Sequence, residues 1–165
     1  MNESESEEES ERVNTELVSL YIHGSAEGNP RRAGAGVVAL NKNREFMFSI
    51  RNWLGARTTY GAEYMSLIIG LDLLLRWWEV EKLVVRSNSR LLVKQMDGDL
   101  KVRNNKLHNL KDEVDQLIEQ VEDFKIEQIP REKNKEAIRL SHEGISVIGE
   151  YHKYKEPDPS KIRVK

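Results

Sequence analysis

The sequence of 165 residues contains no cysteine. Disulfide bonds, thiolate metal sites and cysteine nucleophiles are therefore excluded. Long apolar runs are also missing, because the stretch from Met65 to Leu75 is too short and too interrupted to span a bilayer. No charged-then-apolar secretory signal opens the chain. We expect one domain with a single core in an intracellular protein, cytoplasmic or nuclear, with no membrane partner.

Acidic charge is concentrated at the amino terminus. The first 13 residues hold six glutamates and one arginine, several serines and almost no apolar side chains. Such a segment cannot bury enough apolar surface to fold. We therefore expect residues 1–14 to be a disordered acidic arm and residues 15–149 to be the folded domain. Residues 150–165 are expected to be a tail, since Pro157 and Pro159 indicate an extended chain.

Hydrophobic periodicity between these ends alternates between strand and helix. Three strands with short connections are predicted first, at 16–23, 34–40 and 45–53. Helices at 62–78, 89–96, 106–121 and 134–147 then alternate with strands at 82–86 and 124–129. This order predicts an α/β fold, with a five-stranded mixed sheet of three antiparallel strands and parallel crossovers, flanked by helices. The order alone fits several α/β folds.

Four local motifs narrow the choice. They are Tyr21-Ile22-His23-Gly24-Ser25 with Gly28-Asn29-Pro30, Thr58-Thr59-Tyr60-Gly61-Ala62-Glu63-Tyr64, Ser87-Asn88-Ser89-Arg90 with Gly98 and Lys101-Val102, and Pro130-Arg131-Glu132-Lys133-Asn134. Together, in this order over residues 17–148, they resemble the type 1 ribonuclease H family. The resemblance is to its archaeal and plant-like branch and to the ribonuclease H-like domains of retroelements, and it implies the ribonuclease H-like fold.

The resemblance also implies a reaction, hydrolysis of the RNA strand of an RNA–DNA hybrid with two magnesium ions. The four carboxylates of the family fall at His23, Glu63, Asn88 and Ile138, where only Glu63 is acidic. Magnesium prefers hard oxygen ligands, and carboxylates supply the neutralising charge. We therefore expect no metal cofactor and no catalytic residue, so that the chain would be a pseudoenzyme. His23 is expected to hydrogen-bond Glu63, and Ile138 to pack as core; a transition-metal site of His23, Glu63 and His142 is the alternative.

The residues that correspond to the hybrid-binding groove of the family are altered as well. Its paired asparagines correspond to Thr59 and Tyr60, and the glutamine after its third carboxylate corresponds to Arg90. Lysines and arginines, Lys106 among them, lie in segments that flank the same groove, and Arg31 and Arg32 follow the first loop. The candidate nucleic-acid-binding residues are Thr59, Tyr60, Arg90, Lys94, Lys101, Arg103 and Arg131. Binding through them would be electrostatic and salt-sensitive.

Two functions stay open at this point. The favoured one is a noncatalytic protein-interaction or scaffold module with a protein partner in a larger assembly, as in the degenerate ribonuclease H domains of retroelement reverse transcriptases. The alternative is a noncatalytic module that binds RNA–DNA hybrid or RNA. A residual metal-dependent ribonuclease H is the least favoured reading.

Overall fold

The computed structural model of the protein describes residues 12–154. The described strands are β1 (Val13–Glu27), β2 (Arg32–Asn41), β3 (Phe46–Gly55), β4 (Trp78–Ser87), β5 (Asp123–Gln128) and β6 (Glu150–Tyr154). The described helices are α1 (Thr59–Trp77), α2 (Arg90–Met96), α3 (Asn105–Ile118) and α4 (Lys135–Ser146), with a 3₁₀ turn at Arg131–Lys133. The strands form one mixed sheet in the order β5-β4-β1-β2-β3-β6.

Strand β1 lies inside the sheet and pairs with strands of both directions. It is antiparallel to β2 and parallel to β4. Its alternating residues Val18, Leu20 and Ile22 are fully buried, which is the two-residue period expected of a strand that faces a core. Because β1 and β4 run in the same direction, their carboxyl ends meet at one edge of the sheet, with Ile22 opposite Ser87.

Helix α1 packs on this sheet through one apolar face. Thr58 caps its amino terminus by accepting a hydrogen bond from the backbone N–H of Gly61. Leu67, Leu71 and Leu74 are fully buried at spacings of three and four residues. Each buried leucine contributes about 1.5–3 kcal/mol relative to an exposed one. The helix begins three residues before the predicted Ala62, because the cap at Thr58 starts it earlier.

Two glycines let helices lie directly on the strands that carry the candidate site. A Cβ atom at Gly24 of β1 would lie 2.1 Å from the backbone carbonyl carbon of Ala62 in α1. A Cβ atom at Gly36 of β2 would lie 2.0 Å from the backbone oxygen of Ala137 in α4. Only glycine permits such contacts. These two approaches fix α1 and α4 against the sheet beside the end of β1.

The sheet of the described residues has six strands, so the predicted number of five is wrong. The additional strand, β6, pairs antiparallel with β3, with Ile50 opposite His152. Its sequence Glu-Tyr-His-Lys-Tyr carries little apolar signal, and backbone pairing together with the contact of Arg51 with the Tyr151 ring at 4.4 Å holds it. The sheet thus includes residues 13–14 and 150–154, which the sequence assigned to the arm and the tail. The rest of those segments lies outside the described residues.

No helix within residues 12–154 combines the length and apolar character needed to cross a membrane.

Candidate functional site

Three buried polar side chains and the half-buried Asn88 lie where β1 and β4 end, and we call His23, Glu63, Asn88 and Asn134 the polar cluster. Nδ1 of His23 lies 2.9 Å from Oδ1 of Asn88. The side-chain amide of Asn134 donates to the same oxygen at 2.8 Å and to the backbone oxygen of Ile22 at 2.8 Å. Because the Asn88 oxygen can only accept, Nδ1 of His23 carries the proton, and Nε2 is left as an acceptor.

Glu63 lies on the first turns of α1 and points at the strand end. Its Oε2 atom accepts a hydrogen bond of 3.0 Å from the backbone N–H of Gly24, which the close approach of α1 to β1 makes reachable. Its Oε1 atom lies 3.5 Å from Nδ1 of His23. The expected contact of His23 with Glu63 is therefore present as a longer one, and the shorter hydrogen bond of His23 goes to Asn88.

Burial shifts the pKa values of the two titratable members in opposite directions. Desolvation raises the pKa of Glu63 to about 8, against the opposing effects of the Gly24 hydrogen bond and of Arg131. Desolvation lowers the pKa of His23 to about 4, although the hydrogen bond with Asn88 raises it. Both shifts favour the uncharged form, so the polar cluster is close to neutral around pH 7.

The polar cluster does not fit the pair of magnesium ions that the family resemblance implies. It offers one carboxylate that is 3% exposed, one amide oxygen that already accepts two hydrogen bonds, and one imidazole. Two divalent ions need several anionic oxygen ligands. Within residues 12–154, no group of three histidine, aspartate or glutamate side chains could hold a metal ion, which leaves the alternative site of His23, Glu63 and His142 unsupported. The absence of a metal cofactor stays a prediction.

The fourth position that was matched to a family carboxylate, Ile138, lies on α4. Its backbone N–H donates to the backbone oxygen of Asn134, and its own oxygen accepts from the Ser141 hydroxyl. The side chain is half-buried and is not among the residues that line the cleft above the polar cluster. The expected core packing of Ile138 is thus partial.

An open cleft of about 440 Å³ lies above the polar cluster, and we call it the cluster cleft. Its polar lining includes His23, Ser25, Thr59, Tyr60, Glu63, Asn88, Ser89, Arg90, Arg131 and His142. A second cleft of about 440 Å³, here the basic cleft, is lined by Arg31, Ala56, Arg57, Thr58, Tyr60, Gly61, Asn104, Lys106, Leu107 and Leu110. Tyr60, which is 50% exposed, lines both clefts and joins them into one surface.

The structure brings together part of the predicted nucleic-acid-binding set. Thr59, Tyr60, Arg90 and Arg131 line the cluster cleft. The other three, Lys94, Lys101 and Arg103, line neither of the two clefts. Whether any of the seven binds nucleic acid stays a prediction.

Arg57 lines the basic cleft, and sequence reasoning missed it. It directly precedes Thr58, which caps α1, and recognition of that cap would have located it beside Tyr60.

Comparison with known proteins agrees with the motifs. Residues 22–144 match the model of a family described as reverse transcriptase-like. Over 146 residues the chain is 31% identical to a Mycobacterium tuberculosis protein named Bifunctional protein Rv2228c, and this match covers 88% of the chain. The chain spans only 40% of the length of that relative.

Two solved structures show the same fold. The N-terminal RNase H domain of the same mycobacterial protein superposes with a TM-score of 0.74 at 30% identity, covering 78% of this chain and 98% of that one. LC11-RNase H1 in complex with RNA/DNA hybrid also superposes with a TM-score of 0.74, at 32% identity, covering 78% of this chain and 96% of that one.

These comparisons contradict the interpretation of the chain as a protein that is not an enzyme. The similar proteins are named RNase H1 or RNase H domain, which points to a ribonuclease H enzyme. The pseudoenzyme interpretation depended on matching His23, Asn88 and Ile138 to carboxylate positions, and nothing in the comparisons shows that active-site residues have been lost. That match of positions stays a prediction, whereas the resemblance itself is confirmed. The chain belongs to the reverse transcriptase-like family, and its fold is that of the type 1 ribonucleases H.

Proposed function

We propose that this chain binds RNA–DNA hybrids across the two clefts that meet at Tyr60. The observation that carries the proposal is the charge of this surface. Five cationic side chains line the clefts, namely Arg31, Arg57, Arg90, Lys106 and Arg131, whereas the one acidic residue among the lining residues is the buried Glu63. Phosphate contacts from lysine and arginine supply most of the affinity of a protein for a nucleic-acid backbone.

The contact geometry of the surface supports a nucleic acid rather than a small anion. Tyr60 is 50% exposed and lines both clefts, so half of its side chain is accessible to a sugar or a base. The relative that was solved with RNA/DNA hybrid has the same fold over most of its length. A hybrid is therefore the ligand class that we favour over a single strand.

Hydrolysis of the RNA strand is the reaction that the names of the similar proteins imply for a hybrid bound here. Among the described residues, Glu63 is the one acidic side chain that lines the cluster cleft. The donors of the polar cluster do not fit two magnesium ions, so the interface rather than a metal centre supports the proposed function.

The test is fluorescence anisotropy of the full chain with labelled RNA–DNA hybrid, DNA duplex and single-stranded RNA, in magnesium buffer at low salt. We expect micromolar or tighter binding of the hybrid, weakened in an Arg57→Ala/Lys106→Ala variant. Lys111→Ala is the matched control, because Lys111 pairs with Asp115 and lines neither cleft. The length of the RNA strand after incubation reports any hydrolysis separately. Absence of hybrid binding at low salt would refute the proposal.

A role in contacts with a protein partner is the second candidate. Trp77, Ile148 and Tyr151 are 50%, 76% and 51% exposed and line neither cleft. Exposed apolar patches mark protein interfaces. Sedimentation of the chain over a range of concentrations tests self-association through any one of these side chains, which the matching single variant among Trp77→Ser, Ile148→Ser and Tyr151→Ser should reduce.

A further inference from the structure

Within the described part of the chain, the guanidinium groups that line the two clefts have no ion-pair partner, as is also true of Arg32, Arg44 and Arg103. Arg51, Arg76, Arg86 and Arg139 are paired with carboxylates. Within residues 12–154, no ion pair or side-chain hydrogen bond engages Arg90 or Arg131, and both are exposed. Two guanidinium groups with free N–H donors therefore border the cluster cleft.

The carboxyl group of Glu63, which lines the same cleft, already has a contact at each of its two oxygens. Oε2 of Glu63 accepts from the backbone of Gly24, and Oε1 faces Nδ1 of His23 at 3.5 Å. The side chain is 3% exposed, so it presents little of its surface to a ligand. Arg131 lies close enough for its charge to act on both Glu63 and His23. The accessible charge of the cluster cleft is therefore positive.

Hydroxyl groups complete the donor set around the cleft. The side-chain oxygen of Ser89 accepts from the backbone N–H of Leu92, which leaves its hydroxyl hydrogen free to donate. Thr59, the first residue of α1, also lines the cleft. Guanidinium and hydroxyl donors of this kind suit the oxygens of a phosphate, and a guanidinium can bind two of them at once.

We infer that the cluster cleft binds one phosphate group of the nucleic acid directly, through Arg90 and Arg131, without a bridging metal ion. The inference rests on the proposed hybrid binding and names the group that this cleft takes. The inference follows from the side chains that are present. Binding of two magnesium ions would require several anionic ligands, whereas a phosphate in this cleft meets the guanidinium groups of Arg90 and Arg131. A divalent cation in the same place would face the positive charge of both arginines.

The experiment compares hybrid binding in EDTA and in magnesium at equal ionic strength, for the full chain and its variants. We expect equal affinity in both buffers, and Arg90→Ala and Arg131→Ala should each weaken binding by about tenfold. Arg131→Lys should recover part of the loss of Arg131→Ala. Arg139→Ala is the control and should bind like the unmodified chain, because Arg139 pairs with Glu136 and Glu143 and lines neither cleft.

A second arm separates a nucleic-acid phosphate from free phosphate. Inorganic phosphate, with chloride at equal ionic strength as the reference, is titrated while the NMR signals of the His23 ring are recorded. Phosphate-dependent shifts that disappear in Arg131→Ala support direct phosphate binding. If the hybrid does not bind in the same protein, only the proposed function is refuted, and the phosphate site stands. Unchanged hybrid binding in the Arg90→Ala/Arg131→Ala variant, with weakened binding in Arg57→Ala, would overturn the phosphate site and leave the hybrid interface intact. A requirement of magnesium for hybrid binding would also overturn it.

Discussion

Asn134 is the residue that connects the polar cluster to the sheet. It is 2% exposed, and its side-chain amide donates to both Ile22 and Asn88, which lie 112 and 46 residues away in the sequence. The two bonds hold the end of β1 and the end of β4 against the start of α4. Asn134 thus sets the position of Asn88, which in turn orients the ring of His23.

Removal of this amide should destabilise the protein. In Asn134→Ala, the backbone oxygen of Ile22 loses this donor and the Asn88 oxygen keeps only the hydrogen bond of His23, so we expect the free energy of unfolding to fall by about 1–3 kcal/mol. Urea denaturation measures the change. Asn105→Ala, at an exposed position on α3, is the control and should shift stability much less. An equal loss in both variants would show that the cluster hydrogen bonds contribute nothing specific.

The buried carboxyl group of Glu63 predicts how stability depends on pH. Its pKa is raised from 4.5 to about 8, so the folded state holds a proton that the unfolded state has released. Stability from this group is present at low pH and is lost as the pH rises towards 8. His23, with its pKa lowered from 6.5 to about 4, opposes this trend only below pH 6.5.

Between pH 6.5 and 8, the free energy of unfolding should therefore fall by about 1–2 kcal/mol. Glu63→Gln should abolish most of the fall, whereas Glu119→Gln, at an exposed position, should retain it. Urea denaturation at half-unit pH intervals makes the comparison. A stability that is flat or that rises over this range would mean that Glu63 is ionised in the folded protein.

The sequence motifs predicted which residues lie at the candidate site, but they did not predict the hydrogen bonds between them. The four motifs predicted that His23, Glu63, Asn88 and Ile138 meet, and in the structure the first three lie together whereas Ile138 does not line their cleft. The role of Asn134 was not anticipated, because its two acceptors come from distant strands and no short-range pattern encodes them. The conclusion that the chain is not an enzyme was drawn from the residue types at positions matched to the family carboxylates, and it is contradicted by the comparisons.

At the scale of elements, the approach of α4 to β2 depends on Gly36. The strand and helix backbones leave no space for a Cβ atom there, since one would lie 2.0 Å from the oxygen of Ala137. The contact also places Asn134, which directly precedes α4, over the end of β1. Packing between β2 and α4 therefore supports the geometry of the polar cluster.

A Gly36→Ala substitution should force α4 away from the sheet. Overpacking of this kind costs about 1–3 kcal/mol, occasionally more. We expect a lower melting temperature together with changed NMR signals of Asn134 and His23. Gly98→Ala is the comparison, because nothing lies within 4 Å of its added Cβ and only backbone strain at φ +83° opposes it. Unchanged Asn134 signals in Gly36→Ala would contradict the proposed link between packing and the site.

The ends of two strands, β4 and β6, differ from what the sequence pattern predicted. The predicted order of strands and helices is present, but β4 begins at Trp78, which the periodicity assigned to the preceding helix. Trp78 pairs with Val13 across the sheet and stacks on Phe48 at 5.5 Å between ring centroids. These long-range contacts decide the boundary, just as pairing with β3 creates β6 from a polar segment.

At the scale of the whole molecule, acidic residues are concentrated at the amino terminus and basic residues at the two clefts. The acidic residues of 1–11 lie outside the described residues, and the two clefts carry a concentration of arginine and lysine. An acidic segment competes with nucleic acid for a basic surface. Removal of residues 1–11 is therefore expected to leave the melting temperature unchanged and to strengthen hybrid binding, as anisotropy would measure. Unchanged affinity would show that the segment does not compete for the clefts.

The salt dependence of hybrid affinity tests most directly whether the clefts hold the hybrid. The logarithm of the association constant should fall linearly with the logarithm of the salt concentration, because bound phosphates release counterions. In the Arg57→Ala/Arg131→Ala variant, which removes one contact from each cleft, the slope should be smaller by roughly 2. A variant slope equal to that of the unmodified chain, or an affinity that does not depend on salt, would show that the hybrid does not lie across these clefts.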